Sequence, residues 1–160
     1  MSRIKLGEKL PDSTLYESVP ENECKIRSFV ANKRAIIFGI PGAYVPGCSK
    51  VHLTGFIQKS DELRSLGYQE IICVSVNDPY VLSAWGRSKV ADDKVRLLAD
   101  PEAKYTKAIG MAVDIPELGG IRSRRYSMVT VNGIVRELYM DSSKVNLICL
   151  QNEGIPTYCI

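Results

Sequence analysis

The sequence has one histidine, His52, and no Cys-x-x-Cys pair. The ligand spacings of zinc fingers are therefore missing, and no metal site is expected. The five cysteines, Cys24, Cys48, Cys73, Cys149 and Cys159, are few, odd in number and far apart. A secreted disulfide framework does not look like this; a reducing compartment with one or two working thiols does. No apolar run approaches the length that spans a bilayer. The opening MSRIKLGEKLPDS has neither the apolar core of a secretory signal nor the Arg/Ser-rich pattern of an organelle presequence. A soluble protein of the cytoplasm, or of a mitochondrial or peroxisomal interior, is expected. The net charge of +3 is too small to argue for nucleic acid or a membrane surface. Internal repeats and low-complexity segments are absent as well.

What is present is enough for one domain spanning residues 1–160, with ordinary hydrophobic (45%) and charged (24%) fractions. The chain is organised around residues 35–57, AIIFGIPGAYVPGCSKVHLTGFI. Ala35 to Ile40 is a continuous apolar run and predicts a strand buried on both faces. A Pro/Gly-rich loop from Pro41 to Gly47 follows, then Cys48. Leu53, Phe56, Ile57, Leu63 and Leu66 have helical spacing, with Gly67 as the C-terminal cap. A cysteine between a buried strand and a helix start meets converging backbone N–H groups and the positive end of the helix dipole, which favour thiolate over thiol. Cys48 is thus a candidate nucleophile; the alternative is a buried structural cysteine.

Before this centre, residues 14–19 predict a short edge strand, 20–24 a turn and 25–31 a helical turn. After it, residues 71–76 predict a second buried strand. Asp78-Pro79 then caps a helix that fades near Lys89. A third strand is expected over 95–99, and Asp100-Pro101 repeats the cap-plus-proline signal for a helix ending at Ile109. Residues 113–122 read as a long loop. Tyr126 to Val131 and Ile134 to Met140 flank Asn132-Gly133, a type I′ hairpin signal. A last helix is expected over 144–150. Strands alternating with helices, followed by a hairpin, predict an α/β domain with a mixed central sheet between helical layers.

The segment PGAYVPGCSKVHLTGF resembles the active-site stretch of the peroxiredoxins, in particular the peroxiredoxin-5 subfamily. SVNDPYV (75–81), KVRLLADP (94–101) and RRYSMVTVNGIV (124–135) resemble further segments of that subfamily in the same order, so the likeness covers nearly the whole chain. It implies a thioredoxin-like fold and a thiol-dependent peroxidase. The family's motif is Pro-x-x-x-Thr-x-x-Cys with a distant Arg. Pro41 matches it, Cys48 matches the attacking cysteine and Arg125 the distant arginine. Val45 stands where the family has Thr, whose hydroxyl binds both thiolate and peroxide. Thr54 also stands where the subfamily usually has proline. Cys149 resembles the resolving cysteine of the atypical two-cysteine type.

In the chemistry so implied, a Cys48 thiolate attacks hydrogen peroxide or an alkyl hydroperoxide and becomes a sulfenic acid. Arg125 steadies the thiolate and the leaving oxygen, and amide groups around Val45, Gly47 and Cys48 bind the peroxide. Cys149 closes a disulfide, and thioredoxin or a similar dithiol reopens it. No metal, flavin or haem is implied, and a homodimer with contacts near the active-site loop is. Loss of the Thr hydroxyl is worth roughly 1.5–3 kcal/mol if it acts wholly in the transition state. This keeps open a slow redox sensor that passes oxidation to a partner.

For other residues the expectations are plainer. Cys149 is alternatively a core residue beside Leu147, Ile148 and Leu150. Cys73 is a packed small hydrophobe, while Cys24 and Cys159 are exposed. His52 is placed on a helix surface or in packing rather than as the base of a cysteine hydrolase. Arg122 and Arg124 are solvated. Pro41, Tyr44, Phe56 and Trp85 line the site entrance or a dimer contact, or else belong to the core.

Overall fold

The computed structural model describes residues 2–46, 53–89, 91 and 94–140. Its centre is a seven-stranded sheet. The strands are β1 (Thr14–Tyr16), β2 (Glu23–Lys25), β3 (Arg34–Ile40), β4 (Glu70–Ser75), β5 (Arg96–Ala99), β8 (Tyr126–Val131) and β9 (Ile134–Met140). They lie in the order β2-β1-β5-β4-β3-β8-β9. β3, β4 and β5 run parallel, whereas β8 pairs antiparallel with β3 and β9 with β8, so the sheet is mixed.

Alternation along the strands explains the layers. On β3 and β4, Ile36, Phe38, Ile40, Ile71 and Cys73 join one apolar cluster. Ala35, Ile37, Ile72 and Val74 join the other. Successive side chains of a strand point to opposite faces, so a run buried on both faces needs cover on both sides. Helices α2 (Leu53–Ser65) and α3 (Pro79–Ser88) cover the first face through Leu53, Phe56, Leu63, Leu82 and Trp85. Phe56 stacks on Phe38, with ring centroids 4.3 Å apart. Helices α1 (Ile26–Phe29) and α4 (Lys104–Ala108) cover the second face through Ile26 and Tyr105.

The hairpin forms as its dipeptide predicts. Asn132 and Gly133 both have positive φ, 52° and 72°, as a type I′ turn requires. Asp78 accepts from the Val81 N–H at 2.9 Å with Pro79 next to it, as its cap signal predicts.

Three expectations change. Residues 23–25, expected within or beside a turn, form β2, because each finds a ladder partner on β1. Residues 112–123 are not a loop. β6 (Ala112–Ile115) and β7 (Gly120–Ser123) make a separate two-stranded sheet joined by a short 3-10 helix, Pro116–Leu118. Its sides are mostly half-exposed, so no apolar periodicity marks it. Asp100 does cap a helix, but not as the residue next to it. Its buried carboxylate accepts from the N–H groups of Tyr105 and Thr106 at 3.3 and 2.8 Å, across a left-handed Ala103. The expected helix over 144–150 lies outside the described residues.

Candidate active site

β3 ends at Ile40, and the chain leaves the sheet through Pro41 and Gly42, both buried. The β3–β8 ladder is what assembles the site. Its register pairs Phe38 with Ser127 and Gly39 with Tyr126. Arg125 directly precedes Tyr126 and so lies next to the end of β3. Antiparallel pairing thus brings together residues far apart in sequence. Gly39 permits the close approach, since a Cβ there would collide with the Tyr126 ring. Arg125 is only 7% exposed. A guanidinium at that depth is costly unless negative charge or acceptors answer it.

Beyond Gly42 the loop makes a tight turn. The Val45 N–H approaches the Gly42 carbonyl at 3.4 Å, and Tyr44 adopts φ 68°. The Asn77 side chain accepts from the Ala43 N–H at 3.0 Å and from the Ser75 hydroxyl at 2.5 Å. Val45 is half-buried and packs against the cluster beneath α2 and α3. Gly47, Cys48 and His52 fall in the segment before α2, and Cys149 in the C-terminal part, all outside the described residues. Of the expected set, the described residues include Pro41 and Val45 in the loop after β3 and the buried Arg125 next to Tyr126, the partner of Gly39.

The two described cysteines are unsuited to peroxide attack. Cys73 is fully buried in β4 among apolar side chains, as expected. Cys24, expected to be exposed, is half-buried on β2. Burial, and then the nearby Glu17 carboxylate, push its thiol above the usual range, which disfavours the reactive thiolate. Tyr126, next to Arg125, is no base either. Burial above all, with the neighbouring Tyr105 phenol, pushes its pKa well up and keeps it protonated.

One open alternative is decided and one expectation is corrected. Phe56 and Trp85 are wholly buried core residues, and of the four entrance candidates Tyr44 is the exposed one, at 57%. Arg122 is not solvated. It donates to the Val76 carbonyl at 2.7 Å and to the Leu118 carbonyl at 3.1 and 2.6 Å. Arg124 is exposed, as expected. Among the described residues no group of acidic, histidine and cysteine side chains is arranged to hold a metal. No helix among them is long and apolar enough to cross a membrane.

Known proteins are similar to this chain in sequence and fold. Residues 5–148 match the redoxin family. Peroxiredoxin-2D of Arabidopsis thaliana is 38% identical over 158 residues, covering 96% of this chain and 91% of the relative. Peroxiredoxin-2C of the same plant is 42% identical over 136 residues, 82% of this chain and 84% of the relative. Among solved structures, reduced Prx3 from Vibrio vulnificus in complex with hydrogen peroxide superimposes with a TM-score of 0.86 at 36% identity, covering 91% of this chain and 92% of that one. Peroxiredoxin 5 from Alvinella pompejana gives a TM-score of 0.82 at 34% identity, with 88% and 92% covered. The thioredoxin-like mixed sheet and the Arg125 position are thus found in a chain that belongs to the redoxin family and, within it, to the peroxiredoxins, the thiol-dependent peroxidases.

Proposed function

We propose that the protein reduces hydrogen peroxide and alkyl hydroperoxides through Cys48, with Arg125 as its electrostatic partner. The observation that supports this best is the β3–β8 register, which pairs Gly39 with Tyr126, the residue after the buried Arg125, close to the end of β3. The Cys48 thiolate attacks one peroxide oxygen, the O–O bond breaks, and the departing alkoxide or hydroxide takes a proton and leaves as alcohol or water. Sulfur is oxidised to the sulfenic acid and the peroxide is reduced. The Arg125 guanidinium favours the thiolate and offsets charge growing on the leaving oxygen. The Cys149 thiol then condenses with the sulfenic acid, releasing water and forming a disulfide. A thioredoxin-type dithiol reduces that bond by exchange.

The partner in this reading is a second copy of the chain, meeting near the active-site loop. Exposed Tyr44 and Tyr80, at 57% and 59%, flank the Ala43–Asn77 hydrogen bond in sequence and offer aromatic surface there.

The test is the second-order rate of Cys48 oxidation, followed by stopped flow, with the product disulfide mapped by mass spectrometry. A rate orders of magnitude above that of free cysteine, with a Cys48–Cys149 bond, is expected. A free-thiol rate would overturn the peroxidase assignment, and a disulfide lacking Cys149 would overturn the resolving role.

One observation favours a slower enzyme acting as a peroxide sensor. Val45 presents a half-buried methyl surface packed on the core, where the related proteins' motif has a hydroxyl. Val45→Thr separates the two readings. If the hydroxyl is what the site lacks, oxidation should accelerate by about tenfold, the lower end of one charge-assisted hydrogen bond. An unchanged rate would mean that backbone donors already suffice.

A further inference from the structure

Two side chains from separate elements grip the loop between β3 and Cys48. From below, the Asn77 Oδ1 accepts the Ala43 N–H at 3.0 Å, and the Ser75 hydroxyl fixes that oxygen at 2.5 Å. Ser75 is itself fully buried and held in the sheet between Ile40 and Ala99. From the side comes Arg122 of β7. Its three hydrogen bonds to the Val76 and Leu118 carbonyls fix the guanidinium plane. A Cβ on Gly42 would stand 3.2 Å from Arg122 Nη1 and 3.9 Å from Asn77 Oδ1. The guanidinium therefore rests against the bare Cα of Gly42, which accounts for a glycine whose φ is not positive.

Immediately after these two contacts the chain adopts a conformation its own residues do not favour. Tyr44 is left-handed, with φ 68°, and the turn's own hydrogen bond, from the Val45 N–H to the Gly42 carbonyl, is long at 3.4 Å. Such backbone persists only where the surroundings over-determine it.

We propose that Asn77 and Arg122 are positioning residues for peroxide reduction: they hold the Gly42–Val45 turn in its left-handed form and so fix the Val45 N–H, the described amide donor of the loop, for the peroxide. This rests on Cys48 as the attacking thiol. Both act through the backbone of the turn. Asn77 acts as an acceptor, a role Asp keeps and Ala loses. Arg122 acts through a planar fork against several carbonyls, a geometry Lys does not reproduce.

The test compares two reactions of the same thiol in the full chain: oxidation by hydrogen peroxide and alkylation by iodoacetamide. Alkylation reports thiolate reactivity alone, whereas peroxide attack also needs the fixed amide. Asn77→Ala and Arg122→Met should each slow oxidation by about tenfold, within the penalty of a small misplacement. Alkylation should stay within about twofold, since the thiolate is untouched. Asn77→Asp should return to within about threefold of wild type by keeping the acceptor, whereas Arg122→Lys should not rescue. Wild-type oxidation in Asn77→Ala and Arg122→Met, parallel losses in both reactions, or an Asp variant as slow as Ala would each overturn the proposal.

Should Asn77→Ala fail to fold by circular dichroism, Ser75→Ala takes its place. It leaves Asn77 but frees its amide, so a loss of about threefold is expected, and a wild-type rate counts against the clamp. Cys48→Ser identifies a failure of the underlying assignment: undiminished peroxide consumption there indicts Cys48 rather than the clamp.

Discussion

Two turns of opposite character stand at the two ends of β3, one of them the β8–β9 hairpin. At the start of β3, Arg34 pairs with Val131, and the Asn132–Gly133 turn closes just beyond. At its finish the chain enters the Gly42–Val45 turn. Each turn places a non-glycine residue in left-handed backbone, Asn132 at φ 52° and Tyr44 at φ 68°. Asparagine tolerates that region because its short polar side chain bonds locally. The Asn132 Oδ1 also accepts from the distant Asn32 N–H at 2.8 Å, while its own N–H reaches the Lys33 carbonyl at 2.9 Å. Tyrosine has no such tolerance. The first turn is built from residues that favour its backbone. The second is imposed by Asn77 and Arg122 from elsewhere in the fold. A turn that is stable by itself can only join strands, whereas one held under constraint can present its backbone in a chosen direction.

The sharpest way to break this contrast is to damage each end and compare rates. Arg125→Gln acts at the imposed end. It removes the charge that favours thiolate and steadies the leaving oxygen, so Cys48 oxidation should fall by roughly 10²–10³-fold. Stopped-flow oxidation measures it, and a loss below about threefold would show that the buried arginine serves packing rather than catalysis. Asn132→Ala acts at the self-sufficient end. It forfeits a tolerant left-handed residue and the bond to Asn32, and should cost about 1–2 kcal/mol in urea unfolding. Its oxidation rate should remain that of wild type. A rate loss there would mean that the two ends of β3 are coupled through the strand.

The same contrast explains what the sequence reveals. Strands β3, β4 and β5, the Asn132–Gly133 hairpin and the Asp78-Pro79 cap are legible because their signals are local: apolar runs, a turn dipeptide, a capping pair. β2 and the β6–β7 hairpin are not, since short half-exposed strands owe their form to a ladder partner rather than to periodicity. The site divides likewise. Pro41, Val45 and Arg125 stand out by motif. Asn77 and Arg122 do not, because what matters is how closely they approach the backbone of a distant segment. Arg122 read, with Arg124, as a solvated charge, yet a bare glycine at 42 lets its guanidinium pack against the loop. Gly-Ala after Pro41 was the available signal, and it shows only that something comes close.

The smallest expected effect is the most direct measure of the constraint. Tyr44→Asn replaces an ill-suited left-handed residue by a tolerant one. The Tyr44 ring is 57% exposed, so little packing is lost with it. Stability should rise by up to about 1 kcal/mol, the lower part of the usual cost of left-handed backbone. Urea unfolding gives the change, and the turn's dependence on its clamp should weaken with it. In an Asn77→Ala background, Tyr44→Asn should recover part of the lost oxidation rate, because the turn then needs less outside help. A Tyr44→Asn protein less stable than wild type would point the other way. The ring would then be contributing contacts that outweigh its backbone cost, and the turn at the end of β3 would be as self-sufficient as the hairpin at its start.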